Sequence, residues 1–210
     1  MNWNEPLSTL SLRRAVTELA ASDADLAAVV ERFGSPPLWA RRPGFATLVR
    51  IILEQQVSLG SAAAAYRRLQ TAAGRVTPAR VASISEETLR AAGLTRQKAA
   101  YCRALARAVV DGRLRLADLG RGSDEKVRST LIEVPGVGPW TADIYLLMAL
   151  RRPDVWPTGD LALARALALV KGLSRIPGEP RLSKIARRWA PWRAVAARIL
   201  WHFYLSSRKR

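Results

Sequence analysis

Two segments in the second half of the chain combine residue types that could do chemistry. Residues 134–143 read VPGVGPWTAD, and residues 155–163 read VWPTGDLAL, so that Asp160 lies 20 residues after Trp140. A Pro-Thr-Gly sequence interrupts the chain directly before Asp160, and Asp is a favoured residue at helix N-termini. The sequence therefore predicts a carboxylate held at a helix start, where it either caps the helix or takes part in a reaction.

The first of these segments predicts two helices joined by a tight hairpin. Pro135 ends the preceding helix, and Pro139 suits the first position of a new one. Gly136 and Gly138 allow positive φ or the close approach of another backbone. Consecutive N–H groups around Val137 would then point outward at the positive end of a helix dipole, which is a surface that binds phosphate. The alternative is a plain turn between helices.

The charge of the chain indicates a polyanionic partner. Lys and Arg number 34 against 17 Asp and Glu, a net charge of +17, and the isoelectric point is about 11.4. Such an excess is typical of proteins that bind polyanions. Residues 1–40 contain three basic and five acidic side chains, so the excess lies after residue 40. Nucleic acid is the first candidate, and an anionic membrane surface is the second.

Length and residue counts exclude several classes of protein. A chain of 210 residues can bury a core without disulfides or structural metals. The single cysteine, Cys102, excludes an internal disulfide and a four-cysteine iron–sulfur cluster, so we expect a buried small side chain there. His202 is the single histidine, and the sequence contains no zinc-protease, serine-hydrolase or P-loop motif. We expect no organic cofactor and no metal bound by side chains.

The first residues lack the basic and then apolar pattern of a secretory signal, and no run of about 18 apolar residues occurs. We therefore expect an intracellular protein without a membrane partner. In a bacterium it would be cytoplasmic and associated with the nucleoid, and in a eukaryote it would be nuclear.

Apolar residues recur at helical spacing along most of the chain, and no stretch alternates as a strand would. The fold class expected is all-α. Residues 44–56 carry one apolar stripe on which Gln56 also falls, and a tight junction to the next helix follows it. Pro191 is expected to begin the last helix.

Ser and Thr residues directly before helical patterns are expected N-caps, because their side chains can accept from unpaired N–H groups of the first turn. Gly93 and Gly112 are expected to end helices. The expected caps are Ser58, Ser85, Thr95, Ser123 and Ser183.

Four sequence blocks resemble the helix-hairpin-helix DNA glycosylases, and among them the 3-methyladenine glycosylase II (AlkA-like) branch. The hairpin segment and the Asp160 segment together form one block. The others are ILEQQVS at 52–58, GLTRQKA at 93–99 and RWAPWRAVAARILW at 188–201. They span about 150 of the 210 residues, and their order and spacing match the family.

The resemblance implies a bilobal, all-helical glycosylase fold. Residues 42–150 would contain the helix-hairpin-helix, and residues 1–41 with 151–210 would form the second lobe. Because only 51 residues precede the first block, we expect no β-rich N-terminal domain like that of the longest AlkA-type enzymes.

The resemblance assigns the chemistry to Asp160, because the catalytic Asp of the family follows its hairpin at the same spacing. Trp140 and Trp201 match positions that line the base pocket, where electron-rich indole favours cationic alkylated purines. Trp201 also lies off the main apolar stripe of its predicted helix. Ile144 and Leu161 stand where the family has two pocket tyrosines, which leaves the substrate range open.

The resemblance also assigns contacts to DNA. Gln55 and Gln56 match the wedge that fills the space left by a flipped nucleotide, with helix-end capping as the alternative. The hairpin carbonyls are expected to hold Na⁺ or K⁺. Contacts to the DNA backbone are assigned to Pro135, Gly136, Val137, Gly138, Thr141 and Ser58.

The implied function is excision of alkylated purines, such as 3-methyladenine and 7-methylguanine, from duplex DNA by a monomer. Relatives that also cut the strand have a nucleophilic Lys where this chain has Trp140, and the nearest lysines, Lys126 and Lys171, do not match the motif. No lyase activity is therefore expected. The alternatives are a glycosylase for uracil or hypoxanthine and a non-catalytic helix-hairpin-helix module that only binds DNA.

Overall fold

The computed structural model describes residues 5–208, and none of these residues lies in a β-strand. The expected all-helical fold class is confirmed. The α-helices in this part of the chain are α1 (Thr9–Ser22), α2 (Ala24–Phe33), α3 (Phe45–Glu54), α4 (Leu59–Ala73), α5 (Pro78–Ser83), α6 (Glu86–Ala91), α7 (Arg96–Val110), α8 (Asp124–Ile132), α9 (Pro139–Ile144), α10 (Leu161–Val170), α11 (Glu179–Ala186) and α12 (Arg193–Ser207).

The chain divides into two compact units. One unit is continuous and comprises Arg41–Ala149, and the other combines the residues up to Ala40 with those from Leu150 onward. Below they are called the hairpin unit and the Asp160 unit. In the hairpin unit, α9 continues into a π-helical turn at Tyr145–Ala149.

Four of the expected N-caps are confirmed, and all four lie in the hairpin unit. In each, the side-chain oxygen accepts a hydrogen bond from the backbone N–H three residues later. They are Ser58, Ser85, Thr95 and Ser123. Gly93 and Gly112 follow the ends of α6 and α7 with positive φ, as expected.

Two expected helix starts are wrong. α11 begins at Glu179, so Ser183 lies inside this helix and donates to the Glu179 carboxylate at 3.2 Å instead of capping the helix. Pro180 in the first turn has no N–H to lose and therefore favours the earlier start. The last helix begins at Arg193, two residues after Pro191.

α3 is the central helix of the hairpin unit, and it packs against α4, α7 and α9. Leu48 and Val49 are fully buried. The Tyr145 hydroxyl accepts from the N–H of Gly44 at 3.0 Å and so fixes the start of α3. This helix ends at Glu54. The expectation that Gln56 continues its apolar stripe is therefore wrong.

In the Asp160 unit, α12 packs against α1, α2 and α10. Its residues from Ala194 to Trp201 are all buried, so Trp201 is enclosed although it lies off the main stripe. Arg198 is fully buried, and burial lowers its pKa to about 9. Its guanidinium donates to the carbonyls of Leu38 at 3.0 Å and Ala194 at 2.9 Å.

Cys102 is buried in α7, as expected, and burial raises the pKa of its thiol to about 12. The side chain is therefore a small apolar group of the core at neutral pH. Among residues 5–208, no helix combines the length and the apolar character needed to cross a membrane.

Candidate active site and hairpin

The hairpin joins the end of α8 at Ile132 to the start of α9 at Pro139. The N–H of Val137 donates to the carbonyl of Val134 at 3.0 Å and closes the turn. Val134 and Val137 are both buried, whereas Pro135 and Gly138 are exposed. The two valine side chains thus anchor the turn in the core, and Pro135 and Gly138 lie on its exposed side.

The two glycines of the hairpin have different roles. Gly136 has φ of +88°, and a Cβ at this position would collide with Cβ and Cγ of Tyr101. Gly138 has φ of −87° and ψ of 178°, and no heavy atom lies within 4 Å of the position that a Cβ would take. Positive φ is therefore required at Gly136 alone, and Gly138 leaves open space above the backbone.

Gln55 connects the end of α3 to the hairpin. Its side-chain Nε2 donates to the carbonyl of Gly136 at 2.9 Å and to Oγ1 of Thr141 at 2.8 Å. Thr141 is 1% exposed, so its hydroxyl is engaged inside the unit. The assigned contacts of Thr141 and Gln55 with DNA stay predictions, and in this structure both side chains bind within the hairpin unit.

Gln56 is exposed and has φ of +55°, which is uncommon for a residue other than glycine. It lies in the short connection between Glu54 and Leu59, as the expected tight junction requires. Ser58 is exposed too, and its hydroxyl caps α4 through the N–H of Ser61 at 3.1 Å. Of the two glutamines, Gln56 is the one whose side chain projects from the surface.

Lys98 was not among the residues that the sequence patterns single out. Its Nζ donates to the carbonyls of Leu53 at 2.7 Å and Gln55 at 2.9 Å, at the end of α3. Burial lowers the pKa of this lysine. Lys98 belongs to the GLTRQKA block, but the number of residues between it and α3 does not predict that its ammonium reaches the end of that helix.

These side chains and the outer face of the hairpin line a cleft of about 400 Å³. Its walls are polar on the glutamine side and apolar where α8 ends. The lining residues are Gln55, Gln56, Gln97, Lys98, Tyr101, Ile132 and the hairpin from Val134 to Gly138.

Asp160 is the N-cap of α10, and its Oδ1 accepts from the N–H of Leu163 at 2.7 Å. The indole Nε1 of Trp201 lies 3.4 Å from the same oxygen, a long hydrogen bond. The carboxylate is half-buried, and Trp201 is 8% exposed. The structure therefore brings together the residue assigned to chemistry and one of the two tryptophans assigned to the base pocket.

The other residues assigned to the base pocket differ in exposure. Leu161 follows Asp160 and is 56% exposed, whereas Ile144 in α9 is 2% exposed. Trp140 is the second residue of α9 and is half-exposed.

Groups of three or more His, Cys, Asp or Glu residues that could hold a metal ion do not occur within residues 5–208. In the hairpin, the carbonyls of Val134 and Gly136 each accept one hydrogen bond. A carbonyl oxygen has two lone pairs, so these groups retain capacity for a monovalent cation.

A family model described as "HhH-GPD superfamily base excision DNA repair protein" matches residues 49–191. The match covers more than half of the chain and includes the hairpin, Asp160 and Lys98. The chain therefore belongs to the HhH-GPD superfamily of base excision DNA repair proteins.

Individual relatives support this placement. DNA-3-methyladenine glycosylase 1 of Schizosaccharomyces pombe is 26% identical over 198 residues, which cover 91% of this chain and 87% of that protein. The structure of 3-methyladenine DNA glycosylase (Mag1) from the same organism, in complex with abasic DNA, superposes with a TM-score of 0.84 at 26% identity, over 90% of this chain and 95% of that one.

A DNA-3-methyladenine glycosidase from Bacillus halodurans has a TM-score of 0.76 at 30% identity, over 93% of this chain and 91% of that one. Against some other curated relatives the chain spans a smaller share of the whole protein, from 39% to 66%.

The different roles of the two glycines predict different effects of adding a methyl group. Gly136→Ala should lower the free energy of unfolding by about 1–3 kcal/mol from positive φ alone, and by more because of the collision with Tyr101. Gly138→Ala should cost no more than about 1 kcal/mol, because φ is negative there and the only loss is a poorer N-cap for α9. Thermal and denaturant unfolding of both variants measure this, and equal destabilisation would contradict the assignment.

Proposed function

We propose that this protein is a monofunctional DNA glycosylase that excises alkylated purines, such as 3-methyladenine and 7-methylguanine, from duplex DNA. The observation that carries the proposal is the Asp160 carboxylate at the start of α10, held by the Leu163 N–H and lying against Trp201. It lies inside the segment that matches the base excision repair family, and the relatives named above are described as acting on 3-methyladenine.

Asp160 would act on the sugar. Breaking the bond between an alkylated base and its sugar leaves positive charge on the anomeric carbon and the ring oxygen. A carboxylate about 4 Å away contributes on the order of 4 kcal/mol at an effective dielectric constant near 20, roughly a thousandfold in rate. The same carboxylate can orient or deprotonate the attacking water. The reaction yields the free base and an abasic site.

Trp140 and Trp201 are assigned to contact with the base. Alkylation of a purine ring nitrogen gives the base a positive charge, and cations are attracted to the face of an indole. Selectivity would then be partly electronic. Ile144 and Leu161 stand where tyrosines are expected. Leu161 is exposed beside Asp160 and would present an aliphatic group in place of a hydroxyl, whereas Ile144 is buried.

The partner would be double-stranded DNA with a damaged base, which has to leave the helix before it can reach a carboxylate on the protein. The hairpin is assigned to the DNA backbone, with the open space above Gly138 allowing close approach. A Na⁺ or K⁺ ion at the hairpin carbonyls would add positive charge at the phosphate. Gln56 would fill the gap left by the flipped nucleotide.

Strand cleavage would not accompany base release. A lyase step needs an amine that attacks the sugar, and the hairpin contains Trp140 at the position in question. The proposed enzyme works as a monomer without an organic cofactor or an iron–sulfur cluster, inside the cell where the DNA lies.

The substrate is tested by base release. Methylated DNA, uracil-containing DNA and hypoxanthine-containing DNA are incubated with the protein, and the released bases are identified. We expect 3-methyladenine and 7-methylguanine to be released and the strand to remain intact. Release of uracil or hypoxanthine alone would change the assigned lesion, and binding without release of any base would indicate a module that only binds DNA.

Asp160→Asn separates chemistry from capping. Asn caps helices about as well as Asp but carries no charge, so folding and lesion binding should stay close to the wild type. Excision should fall by at least about a hundredfold. Single-turnover release of 3-methyladenine measures the effect. A near-wild-type rate from the folded variant would show that Asp160 only caps α10.

Gln56→Ala tests the wedge. A base in a normal pair has to be unpaired before it leaves the helix, whereas opposite a gap or mismatch this cost is already smaller. The variant should therefore slow excision from paired DNA by about tenfold and excision opposite a gap by much less. Equal slowing on the two substrates would assign Gln56 to the local structure of the turn.

A further inference from the structure

A hydrogen-bond network that begins at Lys98, the third residue of α7, includes Gln55, the residue directly before the wedge position Gln56. α3 ends at Glu54, so the carbonyl of Leu53 has no later helical N–H to accept from. The Lys98 ammonium donates to this carbonyl at 2.7 Å and to that of Gln55 at 2.9 Å. It therefore supplies the donors that the helix end lacks and fixes the backbone just before Gln56.

Gln55 continues the network to the hairpin. A side-chain amide has two N–H donors, and those of Gln55 reach the Gly136 carbonyl and the buried Thr141 hydroxyl. Gln55 is therefore held at its backbone by Lys98 and at its side chain by the hairpin.

Gln56 comes next with φ of +55° and an exposed side chain. A non-glycine residue in the left-handed region costs on the order of 1 kcal/mol or more, and it persists where its surroundings enforce it. Gln55 is fixed on one side, and the Ser58 cap fixes the start of α4 on the other. The backbone conformation of Gln56, and with it the direction of its Cα–Cβ bond, is therefore set by its neighbours.

The charges around this turn are also balanced. The negative end of the α3 dipole and the Glu54 carboxylate would repel a DNA phosphate. Arg41 binds Glu54 through two hydrogen bonds of 2.8 and 2.9 Å, and Lys98 lies at the end of the helix. The turn can then approach a polyanion without uncompensated negative charge.

We propose that Lys98 and Gln55 are positioning residues that form a brace between the hairpin and the turn carrying Gln56. The brace presents Gln56 in a fixed direction relative to the hairpin, so that binding of the DNA backbone and filling of the gap are coupled. It rests on the wedge role in the proposed function. Because the wedge is ordered when the protein folds, DNA binding does not have to order it.

The test uses a duplex with a tetrahydrofuran abasic-site analogue and 2-aminopurine opposite it, whose fluorescence reports stacking at the gap. Lys98→Met keeps the aliphatic stem and removes the ammonium, and Lys98→Arg retains a cation. Lys126→Met is the matched control, because Lys126 is an exposed lysine of the same unit. Thermal unfolding confirms that each variant is folded.

At saturating protein, Lys98→Met should show a fluorescence change at least about twofold smaller than the wild type. Lys126→Met should keep the full change, and Lys98→Arg should recover much of it. Gln55→Ala removes the other half of the brace, so it should show the same loss, and it serves where Lys98→Met does not fold. A fluorescence change as large as that of the wild type in either Lys98→Met or Gln55→Ala overturns the brace. The brace is also overturned if the wild-type protein binds the duplex without changing its fluorescence.

Excision gives a second readout. Lys98→Met should slow release from paired DNA more than release opposite a gap, as Gln56→Ala does. In the Gln56→Ala background the added loss should be less than about twofold, because the residue that Lys98 positions is absent. Fully additive losses contradict the brace. If the wild type changes the fluorescence but releases no base, the proposed reaction is wrong and the brace stands.

Discussion

The side-chain amide of Gln55 donates to Gly136 and Thr141, which lie 81 and 86 residues further along the sequence. A buried carbonyl or hydroxyl without a partner destabilises the fold, so these two hydrogen bonds fix how the hairpin lies against the end of α3. Tyr101 also packs against Gly136, so closely that a Cβ on residue 136 would collide with it. Below the exposed hairpin, the Gly136 carbonyl and the Thr141 hydroxyl are thus satisfied by the neutral amide of Gln55, and Lys98 satisfies the carbonyls at the end of α3.

In the Asp160 unit, capping and the proposed chemistry do not exclude each other. The carboxylate oxygen that accepts from Leu163 is the one that lies near the Trp201 indole, so the contacts that start α10 also orient the group. A charged group held in advance needs no reorganisation when positive charge develops nearby. An N-cap Asp is therefore a suitable way to hold a carboxylate in a fixed direction.

Features that depend on neighbouring residues could be predicted from the sequence. The helical class follows from the spacing of apolar residues, and the caps at Ser58, Thr95 and Ser123 follow from side chains that reach three residues ahead. The hairpin at Pro135 and the helix start at Asp160 likewise depend on residues within a few positions along the chain. Ser183 was misassigned because Pro180 offers a competing local start for α11.

The sequence alone therefore determined the helical class, the hairpin and the helix start at Asp160, since each depends on φ preferences and on hydrogen bonds within one turn. Tertiary structure decided which of two adjacent glutamines projects, which of two hairpin glycines needs positive φ, and that Thr141 is buried. It also brought Lys98 to the end of α3. These outcomes depend on contacts between distant segments, and the spacing of residues along a chain does not encode which distant carbonyl a side chain will reach.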